Sequence, residues 1–221
     1  MALEVQISYS IAPKSVTDQL TGKFDEAVRL RKEGQLPSAL AIFEEVYEAR
    51  LREQGANNPD MLTTLHYIGM VCNEQGDYAR AEAVNRDVLA RREQVFGCGT
   101  RQTWGCLFNL LSVLNNQLAA LATRELTTAT DKNIAVTKAS EAEITARQLL
   151  IFLEQGMGKD SPPALGTRRQ LIRLLKNQGR DAEARQCLDT VLVLVESMSG
   201  PARDDELEAM REIQAELEYS N

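Results

Sequence analysis

Few residues of this sequence could assemble a catalytic centre. His66 is the one histidine, so a histidine metal site or a serine–histidine relay would depend on it alone. The four cysteines form no Cys-x-x-Cys pair, which favours reduced thiols over a metal site or a disulfide framework. The stretch 156–159 resembles part of a phosphate-binding loop. However, Leu153 stands where that loop needs its first glycine, and Asp160 stands where it needs serine or threonine. We therefore expect no catalytic site, no metal and no cofactor, and a protein that is not an enzyme.

Charge narrows the classes of partner. The formal net charge is −7, and phosphate binding needs a surplus of Lys and Arg, so nucleic acid is not an expected partner. No apolar run approaches the roughly 18 residues of a membrane span, which predicts no membrane insertion. The N-terminus has neither a signal-peptide core nor an Arg-rich amphipathic pattern. A cytoplasmic protein is expected, with an organellar location after cleavage of a targeting segment left open.

The composition and apolar periodicity are typical of helices. Ala, Leu, Glu, Arg and Gln dominate, and only six prolines are present. Leu62, Leu65 and Ile68 recur at helical spacing, as do Leu107, Leu110 and Leu114. We therefore expect an all-α protein.

A repeat organises these helices. Three segments place an alanine five residues after a glycine that would end a helix: Gly34 to Ala39, Gly76 to Ala81, and Gly179 to Ala184. Ala39 and Ala81 are 42 residues apart, as are Ala142 and Ala184. A glycine follows each of the four alanines by sixteen residues: Gly55, Gly97, Gly158 and Gly200. The pattern predicts four helix–turn–helix units, which bury their apolar faces by stacking.

The second unit carries a family resemblance. Gly76, Tyr78, Ala81 and Ala83, preceded by Leu65, Ile68 and Gly69, resemble the tetratricopeptide repeat (TPR) pattern. The 42-residue period is similar to that of the kinesin-light-chain class, over roughly residues 17–200. Unlike kinesin light chain, the sequence has four units only and no long heptad region. The resemblance implies a TPR superhelix, that is, a helical solenoid that binds other proteins.

One interval departs from the period. Ala81 and Ala142 are 61 residues apart, which leaves 19 extra residues at about 118–137. They contain no proline or glycine, so we expect a helical insertion in the third repeat that turns near 127–132. Such an insertion could serve binding or merely pack on itself.

Both ends lie outside the four units. Residues 3–11 alternate apolar and polar side chains, which is typical of a strand. The N-terminal arm, 1–16, could pair with another chain or lie along the array, although Leu3, Ile7 and Ile11 also fit a helix stripe and terminal tails are often disordered. Residues 201–221 predict an acidic C-terminal capping helix with Leu207, Met210, Ile213 and Leu217 inward.

The resemblance also implies a binding groove, because the first helix of each TPR lines the concave surface. Carried onto this sequence, the peptide-binding residues are expected to include Phe24, Arg31, His66, Met70, Asn73, Phe108, Asn115, Arg169, Arg173 and Lys176. The amides suit a peptide backbone, and the three cations of the fourth unit predict an acidic peptide or protein. Alternatively, the acidic helix at 203–218 neutralises these cations, or they are simply solvated.

Two functions follow from these features. The first is a scaffold or adaptor that binds a partner segment, with acidic character, in the groove. The second is a structural or assembly subunit of a larger complex that uses the N-terminal arm and the inserted hairpin. Both imply membership of a hetero-complex.

Overall fold

The computed structural model describes residues 15–123 and 128–218, which form helices joined by short turns and contain no strand. The helices pack in chain order, each against the next. Four pairs and a last helix result: α1 Val16–Lys32 with α2 Leu36–Gln54, α3 Pro59–Glu74 with α4 Tyr78–Phe96, α5 Arg101–Ala122 with α6 Ala129–Met157, α7 Pro162–Asn177 with α8 Asp181–Glu196, and α9 Pro201–Glu218. The predicted all-α class is confirmed.

The helix boundaries follow from local chemistry. Ser15 and Asp18 form a capping box that starts α1, and the Asn58 side chain accepts hydrogen bonds at the start of α3. The turn inside the second pair contains Gly76 at φ 82°, a left-handed conformation that glycine adopts without steric cost. The expected glycine ends hold for α2, α4 and α6. However, α8 ends at Glu196, four residues before Gly200.

Two hydrophobic clusters meet at α5. Cys106 and Val113 belong to the cluster of α1–α4, whereas Leu107, Leu111 and other α5 leucines belong to the cluster of α6–α9. By length and composition, α5 is also apolar enough to cross a membrane, contrary to the expectation from the sequence. Its contacts with α4 and α6 account for this hydropathy, because a helix that packs on two sides carries apolar residues on two faces.

The third pair is longer than the second. α5 has 22 residues against 16 in α3, and α6 has 29 against 19 in α4. α6 already begins at Ala129, so residues 129–132 of the predicted turn are helical, and residue 127 lies outside the described residues. A binding role for these additional turns stays a prediction.

The structure describes the C-terminal helix but only the last residues of the predicted N-terminal arm. Of the predicted arm, residues 1–14 lie outside the described residues, and Val16 already belongs to α1. α9 packs on α7 and α8 and buries Met210, Ile213 and Leu217, while Leu207 is partly buried. α9 therefore lies where the first helix of a further repeat would lie.

Candidate functional site

The ten predicted binding residues lie on first helices of the pairs. Phe24 and Arg31 belong to α1, and Phe108 and Asn115 belong to α5. The remaining six divide between α3 and α7: His66, Met70 and Asn73, then Arg169, Arg173 and Lys176. We call the surface formed by α1, α3, α5, α7 and α9 the first-helix face.

A ladder of side-chain contacts runs along this face with a step of 43 residues. Arg31 Nε donates to Glu74 Oε1 at 3.0 Å, and Asn116 Nδ2 donates to Asn73 Oδ1 at 3.0 Å. Three further contacts have the same step: Phe24 with Tyr67, His66 with Asn109, and Arg173 with Glu216. The repeat period is 42 residues, so each of these side chains contacts the residue that follows its own equivalent in the next first helix. The ladder links α1 to α3, α3 to α5, and α7 to α9.

Phe24 is committed to packing. Its ring lies 5.5 Å from the Phe43 ring and 5.1 Å from the Tyr67 ring, both in edge-on arrangements. The Arg50 guanidinium lies 5.0 Å from the Phe24 ring centroid. These contacts give Phe24 a structural role.

His66 occupies a polar but enclosed position. The Asn109 amide nitrogen lies 3.4 Å from each ring nitrogen, and Cys106 Sγ lies 3.9 Å from Nδ1. Burial, together with the charges of Arg92 and Arg31, lowers the pKa of His66 to about 4. The imidazole is therefore neutral at physiological pH and offers no positive charge to a ligand.

The amides in the middle of the face bond to one another. Asn73 Nδ2 donates to Ser112 Oγ at 3.2 Å, and Asn115 Nδ2 donates to Gln170 Oε1 at 2.9 Å. Each carboxamide has two N–H groups and two lone pairs, so these bonds use part of its capacity. Met70 is partly buried beside them, whereas Phe108 is 45% exposed. Phe108 is thus an aromatic side chain presented to solvent next to hydrogen-bonding groups.

The cations of α7 face the acids of α9. Arg169 Nη1 donates to Glu206 Oε2 at 2.7 Å. Arg173 and Lys176 approach the Glu216 carboxylate at 3.9 Å and 3.5 Å. Intramolecular pairing, one of the alternatives from the sequence, is therefore what the structure shows for all three cations. These three ion pairs differ in strength, because only the Arg169–Glu206 pair has the length of a strong charge-assisted hydrogen bond.

A repeated buried arginine was missed by the sequence analysis. Arg50 Nη1 donates to the Asp60 carbonyl and to Thr64 Oγ1, and burial lowers its pKa. Forty-two residues on, Arg92 Nη1 donates to the Gln102 carbonyl and lies 3.4 Å from Cys106 Sγ. The sequence signal that could have indicated this feature was the 42-residue spacing between the two arginines.

Glu82 was also missed. It is a buried carboxylate on α4 that accepts hydrogen bonds from Gln117 of α5 and Lys138 of α6 and pairs with Arg86. Burial alone would raise the pKa of Glu82, but hydrogen bonds from Lys138 and Gln117 and the nearby positive charges lower it. The cluster ties α6 to the preceding repeat.

Metal chemistry finds no support in the part of the chain that the structure describes. No group of three or more His, Cys, Asp or Glu residues there could hold a metal ion. Burial raises the pKa of the Cys72, Cys106 and Cys187 thiols, which favours their protonated form.

Comparisons with known proteins agree with this architecture. Residues 27–94 match the family model of the tetratricopeptide repeat. A solved structure from Podosopora anserina, a predicted kinesin light chain with nearly identical TPR-like repeats, has a TM-score of 0.68 at 17% identity. The alignment covers 90% of this chain and 96% of that chain. No curated protein matches the sequence.

Two further solved structures superpose less well. A variant of the same Podosopora anserina repeats has a TM-score of 0.45 at 15% identity, covering 82% of this chain and 97% of that chain. An assembly chaperone of RpL4 has a TM-score of 0.35 at 16% identity, covering 90% and 86%. Residues 27–94 thus match the tetratricopeptide repeat, and the structural comparison supports a TPR-like helical solenoid for the described chain. Proteins with such repeats generally act as non-enzymatic scaffolds for protein–protein interaction.

Proposed function

We propose that this protein is an interaction scaffold that binds an extended segment of a partner protein along the first-helix face, without catalysing a reaction. Phe108 carries the proposal. It is 45% exposed on a helix that otherwise buries most of its large apolar residues. An exposed aromatic ring next to amides is typical of a binding surface, because it offers apolar contact at low entropic cost.

The surroundings of Phe108 suit an extended peptide. Asn73 and Asn115 retain hydrogen-bonding capacity for a peptide backbone, while Phe108 accepts an apolar side chain. Met70 is partly buried and widens the apolar part of the surface. The binding segment is therefore expected to be apolar where it crosses α3 and α5.

An acidic side chain is the preferred group where the segment crosses α7. The Arg173 side chain is 50% exposed and lies 3.9 Å from Glu216, and Lys176 lies 3.5 Å from the same carboxylate. A partner carboxylate that makes shorter hydrogen bonds with both cations would replace Glu216. Arg169, held by Glu206 at 2.7 Å, stays structural.

The test compares three variants in quantitative pull-downs from lysate of the source organism. Phe108→Asp should abolish capture of a partner that binds the first-helix face. A charge reversal of the two cations, Arg173→Glu with Lys176→Glu, should weaken capture about tenfold or more. Val193→Asp is the matched control, because Val193 is 68% exposed on the second helix α8.

A partner retained by both Phe108→Asp and the Arg173→Glu/Lys176→Glu variant would contradict the proposal. The same would hold for a partner lost equally from Val193→Asp. Far-UV circular dichroism of each variant establishes that the helices are intact.

An assembly subunit remains a second candidate, because α6 exposes apolar side chains near its start. Ile134 and Val136 are 44% and 69% exposed. Ile134 also borders a groove of about 240 Å³ with Tyr78, Leu121 and Lys138. Loss of a partner from an Ile134→Asp/Val136→Asp variant, with Phe108→Asp silent, would favour this function.

A further inference from the structure

α6 carries a large share of the exposed apolar side chains. Nine large apolar residues are exposed in the part of the chain that the structure describes, and five of them belong to α6. They are Ile134, Val136, Ile144, Ile151 and Met157. α6 packs on α5 and α7 through its buried residues, so these five side chains lie outside those contacts. Exposed apolar groups concentrated on one helix are typical of an interaction surface.

Ile144 and Ile151 lie at the centre of this surface. They are 64% and 55% exposed, and their spacing of seven residues places them on one line along the helix. At the equivalent positions 61 residues earlier, α4 has Ala83 and Ala90. The repeat itself therefore does not require isoleucine at these positions, whereas apolar contact with a partner does.

The exposed line through Ile144 has the same character in both directions. We call this line, from residue 133 to residue 155, the α6 seam. Positions seven residues from Ile144 are β-branched, and positions four and eleven residues away are uncharged and able to form hydrogen bonds. The three pairs are Thr137 with Ile151, Ser140 with Gln148, and Asn133 with Gln155. Such a pattern fits a second copy of itself in antiparallel orientation, because residues equally distant from the two-fold axis then meet.

Charge does not oppose this pairing. Every charged residue of α6 between 133 and 155 has a partner within the chain: Lys138 with Glu82, Glu141 with Arg86, Glu143 with Arg147, and Glu154 with Arg168. Arg147 and Glu143 lie one turn apart on the same flank of the seam. An antiparallel two-fold pair keeps each flank on its own side and reverses its direction. Arg147 of one copy therefore faces Glu143 of the other, and opposite charges meet.

The length of the seam sets the expected strength of the contact. Residues 133–155 of a helix span about 33 Å, and a helix with its side chains is about 10 Å wide. Two copies in contact along this length would bury on the order of 1,000 Å² in total, which is at the low end for specific interfaces. Association should therefore be reversible, with a dissociation constant on the order of 10–100 μM.

We propose that two copies of this chain associate through their α6 seams, antiparallel about a two-fold axis at Ile144. Ile144 of one copy contacts Ile144 of the other, and Ile151 contacts Val136 and Thr137 of the other. α5 lies between the seam and the first-helix face of its own copy, so both first-helix faces stay open. The pair would hold two partner segments at once and gain avidity for a partner that is itself multivalent.

Cysteine cross-linking tests the geometry. The background is Cys98→Ser, which removes the exposed native thiol. Ile144→Cys should then form a covalent dimer on mild oxidation, because the axis brings its two Cα atoms to about the 4.4–6.8 Å of a disulfide. Ile151→Cys is the matched control, nearly as exposed on the same helix. Its two copies would lie about 21 Å apart along the helices, so it should cross-link at least about tenfold more slowly.

Charges placed on the axis test self-association without a cross-link. Sedimentation velocity of wild type from about 10 to 500 μM should show a mass that rises towards the dimer. Ile144→Glu and Ile144→Lys should each stay monomeric, because like charges meet at the axis. An equimolar mixture of the two variants should recover the dimer, since Glu then meets Lys. Val193→Asp, on α8 and outside the seam, should associate as wild type does.

Three outcomes would overturn the proposal: a wild-type chain that stays monomeric over the whole range, equal cross-linking of Ile144→Cys and Ile151→Cys, or a mixture no more associated than either charged variant alone. Far-UV circular dichroism establishes that each variant is helical. Phe108→Asp should leave self-association unchanged, so failure of this proposal and failure of the proposed function are distinguishable.

Discussion

At the scale of single residues, His66 shows how burial changes what a side chain can do. The sequence analysis placed it among the ligand-binding residues, on the strength of its position in the repeat. Its ring instead lies between Asn109 and Cys106, and its pKa is lowered to about 4. A histidine held neutral contributes to stability in a pH-dependent way.

His66 is expected to make folding sensitive to mild acid. Its folded pKa lies below the unfolded value of about 6.5, so its contribution is complete above pH 6.5 and is lost as the pH falls towards 4. Between pH 7 and pH 4.5, the free energy of unfolding should therefore fall by about 2 kcal/mol more in wild type than in His66→Gln. Urea unfolding of both proteins measures this difference. Parallel pH profiles would show that His66 does not contribute.

At the scale of helices, α5 and α6 are joined by a close approach at Gly156. Trp104 Nε1 donates to the Gly99 carbonyl at 2.9 Å, which fixes the indole over α6. A Cβ added at Gly156 would lie 2.1 Å from the Trp104 ring. Gly156 therefore permits α5 and α6 to pack closely at this point. The sequence analysis had considered Gly156 only as part of a phosphate-binding loop whose motif is incomplete.

The same substitution at two helical glycines should have opposite effects. Gly156→Ala forces the indole to move and should destabilise the fold by about 1–3 kcal/mol. Gly22→Ala in α1 meets no atom within 4 Å and should stabilise by up to about 1 kcal/mol through helix propensity. Chemical unfolding of the two variants gives both values. A stabilising Gly156→Ala would mean that Trp104 does not pack there.

At the scale of the whole molecule, each helix is stabilised mainly by the helices next to it in the chain. Each helix contacts mainly the helices next to it in the chain, and the hydrophobic interior divides at α5 into two clusters. Such an array behaves as a sum of local interfaces. Damage at one end should therefore remain at that end.

Removal of α9, by truncation after Gly200, tests this locality. The change uncovers the surfaces of α7 and α8 that pack on Met210, Ile213 and Leu217, and it removes Glu206, which pairs with Arg169. Hydrogen exchange should quicken about tenfold or more in α7 and α8, because the lost contacts are apolar and fully buried. Exchange in α1–α3 should stay unchanged. A uniform increase along the chain would contradict the local picture.

Periodicity in the sequence was enough to predict the helices and their grouping into pairs, because both depend on local propensity and on a recurring 42-residue spacing. The tetratricopeptide class came from the resemblance of the second unit to the family pattern. The ten candidate residues on the first helices were implied by the same resemblance. It did not indicate which of them a neighbour already engages. Phe24, His66 and Arg169 are taken up by contacts with Tyr67, Asn109 and Glu206, each from another helix.

Only the tertiary structure decided which surfaces stay open. The exposure of Phe108 and the 3.9 Å pairing of Arg173 with Glu216 depend on how neighbouring helices pack. Side-chain contacts between residues 43 positions apart link neighbouring first helices, as Arg31 with Glu74 and Asn73 with Asn116 show. Spacing along a chain specifies which residues can meet, whereas packing in three dimensions determines which of them are left to meet a partner.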